Sequence, residues 1–427
     1  MLSYQGAPPR TGLPQSATLA ANERIRAIQA TGESVVHLAF GEAGLPVLPE
    51  VAAALSAAAT ENSYGPTAGT EAVRAAAAGY LSRRGVPTEP DQIVAGPGSK
   101  PLLYALLTVL PGDIVLPRPS WVSYAAQAAL AGKEVIWVDV PGHTGGVPDP
   151  EALENSLLEA RWKGQRPGVL VLTSPDNPTG TTPGAELVRQ VCAVAERYGL
   201  VVISDEIYRD LAHDPDSVLS PATVFPERTI ITTGLSKATA LGGWRLGFCR
   251  IPATREGAQL RERLVGVASE VWSNPAMPVQ TAAGYLLDEP AEVREYVRAG
   301  RELHREVVTE AHRLLVAAGA SCRAPGGGFY LYPDLEPARE RFALRSGMDL
   351  AEVLLTKYRV GVLCGEAFGD DPRALRFRMA TSLLYGANDV QRWEALHSAD
   401  PVALPWIADA LNRLAEAVDD LTGGSTG

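Results

Sequence analysis

GVLVLTSPDNPTGTTPGAELVRQVCAVAERYGLVVISDEIY, residues 168–208, holds two short runs of Val, Leu and Ile joined by one longer amphipathic stretch. The runs GVLVLTS (168–174) and LVVISDE (200–206) are apolar at successive positions, so both faces of each predicted strand must be covered. Between them AELVRQVCAVAERYG (185–199) places Leu187, Val191, Val194 and Ala195 on one helical face and ends on Gly199, a helix stop. Two strands buried on both faces with a helix between them form a βαβ unit, and a parallel sheet follows.

The same rhythm extends in both directions. QIVAG (92–96), DIVLP (113–117) and EVIWVDV (134–140) precede the unit, and RTIITTG (228–234) and WRLGFCRI (244–251) follow it. The expectation is a doubly wound α/β domain, which binds its ligand at the carboxyl ends of the strands. After about residue 290 the pattern changes to a long helix (291–319), short strands at FYLYPDL (329–335), VGVLC (360–364) and LRFRMA (375–380), then helices to about 421. That reads as a smaller α+β domain. Residues 1–13 and the tail from 422 are rich in Pro, Gly and Ser and are expected to be mobile.

Composition excludes several classes of function. The 427 residues are 46% hydrophobic and 20% charged, an ordinary balance for a chain with a large core. The net charge of −11 repels polyanions, so neither nucleic acid nor an anionic membrane is an expected partner. No apolar run reaches the roughly 18 residues of a membrane helix. Residues 1–15 lack a charged segment followed by an apolar one, and the expected location is the cytoplasm. Cys192, Cys249, Cys322 and Cys364 are far apart, so reduced thiols are expected, with no metal site.

Strand ends carry the chemistry. GPGSK (96–100) leads from a strand into a helix, where the Gly98 and Ser99 backbone N–H groups and the Ser99 hydroxyl could hold a phosphate. SPDNPTG (174–180) is a rigid turn that fixes the Asn177 amide, and SDEIY (204–208) puts Asp205 and Glu206 at another strand end, where one could simply cap a helix. TTGLSKATALGGWRLG (232–247) sets Lys237 after a buried strand and Arg245 eight residues on. Lysine is scarce: Lys100, Lys133, Lys163, Lys237 and Lys357 are the only five among 38 basic residues. A lysine kept at a strand end is a candidate for chemistry arginine cannot do, such as Schiff-base formation with an aldehyde.

Taken together, S-K, G-W-R-x-G, N-P-T-G and D-x-x-Y resemble the class I/II aminotransferases (aspartate aminotransferase-like), which are fold-type I pyridoxal phosphate enzymes. The resemblance runs from about Ser16 to Ser382 and includes Trp121 in PSWVSY and Tyr64 in SYGPTAG. It implies a seven-stranded, mostly parallel sheet in a large cofactor-binding domain (46–290). An N-terminal arm with part of the small domain (1–45) and a C-terminal small domain (291–427) complete the chain. It implies pyridoxal phosphate held by Lys237 as an internal aldimine, with Asp205 at the ring nitrogen. Asn177 and Tyr208 would bond the phenolic oxygen, and Trp121 would stack on the ring. Gly98, Ser99, Lys100 and Arg245 would surround the phosphate. Tyr64 would reach the phosphate of a neighbouring subunit, which implies a homodimer with shared sites. Gly41 and Arg376, in LRFRMATS, would receive the substrate α-carboxylate.

The implied reaction moves an amino group between an α-amino acid and a 2-oxo acid. The alternative is a lyase, cyclase or carbon–carbon bond-forming enzyme of the same fold, acting on a substrate such as S-adenosylmethionine. Several residues depart from the family pattern: Gly41-Glu42-Ala43-Gly44-Leu45 in the substrate loop, Gly234 where many relatives carry serine, and Cys364 before Gly365. Arg378 shares a strand face with Arg376, since side chains repeat with period two, and is expected at the pocket rim or as a second anion site.

Overall fold

A computed structural model describes residues 15–423. Among the described residues twelve strands are present: β1 (Val36–His37), β2 (Ile93–Gly96), β3 (Asp113–Arg118), β4 (Val135–Asp139), β5 (Pro167–Thr173), β6 (Val201–Asp205), β7 (Thr229–Gly234), β8 (Gly247–Arg250), β9 (Tyr330–Leu331), β10 (Val360–Gly361), β11 (Leu363–Cys364) and β12 (Phe377–Ala380). Seven of them form one sheet in the order β2-β8-β7-β6-β5-β3-β4. The pairs β4–β3, β3–β5, β5–β6 and β6–β7 are parallel, and only β8 runs against its neighbours.

Alternation within each run explains the burial of both sheet faces. Ile114, Leu116, Val169, Val171 and Ile203 enter one apolar cluster with Leu103 and Leu106 of the helix Ser99–Val109. Val115, Leu170, Leu172 and Val202 enter another, with Val191 and Val194 of the helix Ala185–Tyr198. That helix buries Val188 more deeply than Leu187, and Gly199 ends it at φ +71°, a left-handed conformation that costs glycine little. WRLGFCRI is strand only from Gly247, because Gly242–Trp244 form a 3₁₀ turn and Arg245 adopts φ +57°.

A separate apolar cluster joins Val36, Leu38 and Leu45 to the long helix Ala291–Ala317, to β12 and to the final helix Pro405–Thr422. There β11, β12 and β9 form a three-stranded antiparallel sheet, and β1 pairs with β10. The expected mobility of residues 1–13 and of 424–427 concerns positions outside the described residues. Thr422 is ordered, however, and its hydroxyl donates to the Ala318 carbonyl at 2.6 Å. Among the described residues no helix is long and apolar enough to cross a membrane.

Candidate active site

Register places the chemistry. Thr173 at the end of β5 pairs with Asp205 at the end of β6, which pairs with Thr232 near the end of β7. The turns after these strands therefore open at one edge of the sheet, beside the turn after β3 that carries Trp121. They enclose a cavity of about 540 Å³, within the ordinary range for a small-molecule site. Of the residues singled out in the sequence, Ser99, Lys100, Trp121, Asn177, Asp205, Tyr208, Lys237, Arg245 and Gly41 are brought together along it. Arg378, Tyr330, Tyr124, Thr173 and Ser236 also line it.

Four cations, Lys100, Lys237, Arg245 and Arg378, face this cavity against two carboxylates, Glu42 and Asp205. In a protein of net charge −11 that local surplus marks a trap for anions. Gly98 stands at φ +98° just before the helix Ser99–Val109, and a Cβ there would fall 2.4 Å from the Arg245 guanidinium. Glycine thus lets Arg245 close on the helix N-terminus, where unpaired N–H groups already favour a phosphate. Gly247 permits the same approach from beneath, since its Cβ would lie 2.5 Å from the Ser99 nitrogen. Burial lowers the Lys100 ammonium pKa, helped by the nearby charges of Arg245 and Lys237.

Asp205 is buried at the cavity floor. Its Oδ2 accepts from the Tyr124 hydroxyl at 2.7 Å, and Tyr124 also meets Thr173 Oγ1 at 2.8 Å. Among the described residues its Oδ1 has no close hydrogen-bond partner. Burial pushes the carboxyl up to about 6, although Tyr124, the Ile207 backbone N–H and Thr232 pull the other way. A buried carboxylate oxygen without a donor calls for a cation or an N–H from a ligand. Lys237 Nζ donates to the Gly41 carbonyl and lies 5.7 Å from the centre of the Tyr208 ring. Asn177 Nδ2 donates to Tyr208 Oη at 3.5 Å.

Arg376 does not join this group. Its side chain is 42% exposed, donates to Asp334 at 2.9 Å and Asp370 at 3.1 Å, and lines a separate cleft with Arg118 and Arg323. Arg378 is buried instead in the Lys237 cavity, donating to Asn177 Oδ1 at 3.3 Å and to the Ala39 carbonyl at 2.7 Å. Among the described residues its Nε has no partner and no carboxylate neutralises it, and burial lowers its pKa. Alternation puts both arginines on one face, but two residues along a strand span about 6.6 Å, so only one can reach the cavity. Arg376, expected as the carboxylate ligand, therefore lies outside the cavity, and Arg378 stands in it instead. Tyr64 is 91% exposed and stands outside the cavity.

A profile of the family described as aminotransferase class I and II matches residues 33–383. The chain belongs to this family. The aminotransferase is 30% identical to an aspartate aminotransferase of Geobacillus stearothermophilus over 87% of this chain and 93% of the relative. It is also 30% identical to an aspartate/prephenate aminotransferase of Cereibacter sphaeroides, over 86% of this chain and 92% of that one. An aspartate aminotransferase from Thermus thermophilus solved with maleate superposes with a TM-score of 0.83 at 27% identity, covering 97% of this chain and all of the other. The protein is thus an enzyme that moves an amino group between an α-amino acid and a 2-oxo acid.

Tyr330 and Tyr124 escaped the sequence reading. Tyr124, three residues after Trp121, could have been found as the next inward position of the helix that starts there. Tyr330 gave no such signal, because FYLYPDL alternates like any half-buried strand.

Proposed function

We propose that the cavity holds pyridoxal phosphate and that the preferred amino donors are acidic amino acids of the aspartate class. The observation that carries the cofactor is Asp205: a buried carboxylate with an unpartnered Oδ1, in the same cavity as Lys237. When bound, the cofactor supplies an aldehyde for amine exchange and a pyridinium ring that accepts the electron pair left at the substrate Cα. Asp205 keeps the proton on the ring nitrogen. Asn177 and Tyr208 bond the phenolic oxygen, and Trp121 covers the ring. The Gly98–Ser99 backbone, Ser99, Lys100 and Arg245 hold the phosphate. Lys237 would be the covalent anchor, and its amine is the group that would take the proton from the substrate Cα. Arg378, uncompensated and buried, forks onto the α-carboxylate beside Gly41.

Acidic substrates are proposed because the relatives named above are aspartate and aspartate/prephenate aminotransferases. The further proposals are a homodimer in which Tyr64 completes the partner's phosphate site, a cytoplasmic location, and division into an arm (1–45), a large domain (46–290) and a small domain (291–427). The exposure of Tyr64 and the separate C-terminal core support the first and last of these. The test is to load the protein with pyridoxal phosphate, add aspartate and 2-oxoglutarate, and follow oxaloacetate and glutamate. Equimolar formation of the two is expected. Loss of aspartate with no 2-oxo acid formed would overturn the reading.

A further inference from the structure

Tyr330 touches Tyr208, Arg378 and the backbone at Gly41. Its hydroxyl lies 2.8 Å from Tyr208 Oη, and both phenols are buried. Its ring covers the Arg378 guanidinium at 4.8 Å. Any Cβ at position 41 would collide with the Tyr330 hydroxyl, so Gly41, whose carbonyl accepts from Lys237, is glycine because Tyr330 occupies that space.

Hydrogen-bond bookkeeping gives this contact a direction. Arg378 donates to Asn177 Oδ1, which turns the Asn177 Nδ2 donor toward Tyr208 Oη. Two phenols in contact share one hydrogen between them. If Tyr208 gives it, Tyr208 has no proton left for the cavity. If Tyr330 gives it, the Tyr208 oxygen accepts from Tyr330 and Asn177, and its own proton is free for a ligand. An oxygen anion in the cavity selects the second arrangement, and each bond in such a chain strengthens the next.

We propose that Tyr330 is a positioning residue that donates to Tyr208 and so commits the Tyr208 proton to the phenolic oxygen of the bound cofactor. The proposal rests on the reading of Tyr208 given above. An oxygen anion with a weaker hydrogen bond holds protons more tightly, so the effect is read in the pH dependence of the cofactor's absorbance, independently of turnover.

The experiment titrates the absorbance of the holoenzyme as wild type, Tyr330→Phe, Tyr208→Phe and the double variant, with thermal melts to confirm folding. Tyr330→Phe, which removes one atom and keeps the ring on Arg378, should move the midpoint to higher pH by about half a pH unit. Tyr208→Phe should move it further, and the double variant no further than Tyr208→Phe alone. Fluorotyrosine at position 330, a stronger donor of the same shape, should move it to lower pH. A midpoint that ignores both changes at 330 while responding to Tyr208→Phe overturns the proposal alone, and so does additivity in the double variant. A midpoint that ignores Tyr208→Phe overturns the placement of Tyr208 as well.

Discussion

Lys237, Asp205 and Arg378 each carry a different kind of charge problem, and each predicts a different outcome. Replacing Lys237 by Ala should abolish turnover while pyridoxal phosphate still binds through its phosphate and ring contacts. Borohydride reduction of the wild type should leave the pyridoxyl group on Lys237, and a label on Lys100 would refute the assignment. Arg378→Lys keeps the charge but loses the planar fork, so amino-acid binding should weaken by about tenfold or more, whereas Arg376→Lys should change it little. Equal effects at the two positions would mean that the carboxylate is held elsewhere. Asp205 predicts a pH effect on the cofactor-free protein. Its folded-state value, about 6, lies above the ordinary 3.8, so the native state holds the extra proton between those values. Stability from this group therefore falls as pH rises through that window and stays lower above it. Apo Asp205→Asn should be more stable than the apo wild type at pH 8 by about 1–3 kcal/mol, with the advantage gone near pH 4. Parallel denaturant midpoints across that range would contradict this. With cofactor bound the order should reverse, because the carboxylate then has its cation.

At the scale of single elements, the end of β7 shows why a familiar residue is missing. Gly234 lies against β8 so closely that a Cβ would sit 2.9 Å from the Gly247 Cα and the Leu246 carbonyl. Installing the serine common in relatives should therefore cost about 1–3 kcal/mol and give no gain in pyridoxal phosphate affinity, as melting and cofactor titration would show. Gly247 is held in turn against the Ser99 nitrogen, so the two strand ends and the start of the Ser99–Val109 helix form one tight backbone stack. The strands and the helix 185–198 were legible because hydrophobic period and a terminal glycine are local signals. The turn at Trp244–Leu246 was not, because Trp244 and Leu246 pack into an apolar cluster as strand residues would, while Arg245 between them adopts φ +57°.

Across the whole molecule, one buried ion cluster ties the sheet region to the start of the long helix. Arg84, 15% exposed, grips Asp210 at 2.7 Å and Glu289 at 2.5 Å, and its carbonyl accepts from Arg209 at 2.8 Å. Arg84→Met leaves Asp210 with only the Tyr80 hydroxyl and Glu289 with only the more exposed Arg83, and should cost about 2–4 kcal/mol. Arg24→Ala, which breaks a pair with Glu352 in which both side chains are about half exposed, should cost under about 1 kcal/mol. Thermal melts that rank the two the other way would refute the role given to burial. The order of strands and helices, the lysine at a strand end and the turn motifs with their spacing were determined by sequence alone, because each depends on neighbours a few residues away. Which of Arg376 and Arg378 enters the cavity, why Gly41 and Gly234 carry no side chain, and the pairing of Tyr208 with Tyr330 were decided only by the tertiary structure. Those outcomes depend on distances between segments up to 339 residues apart, as between Arg378 and Ala39, and no local pattern encodes such a distance.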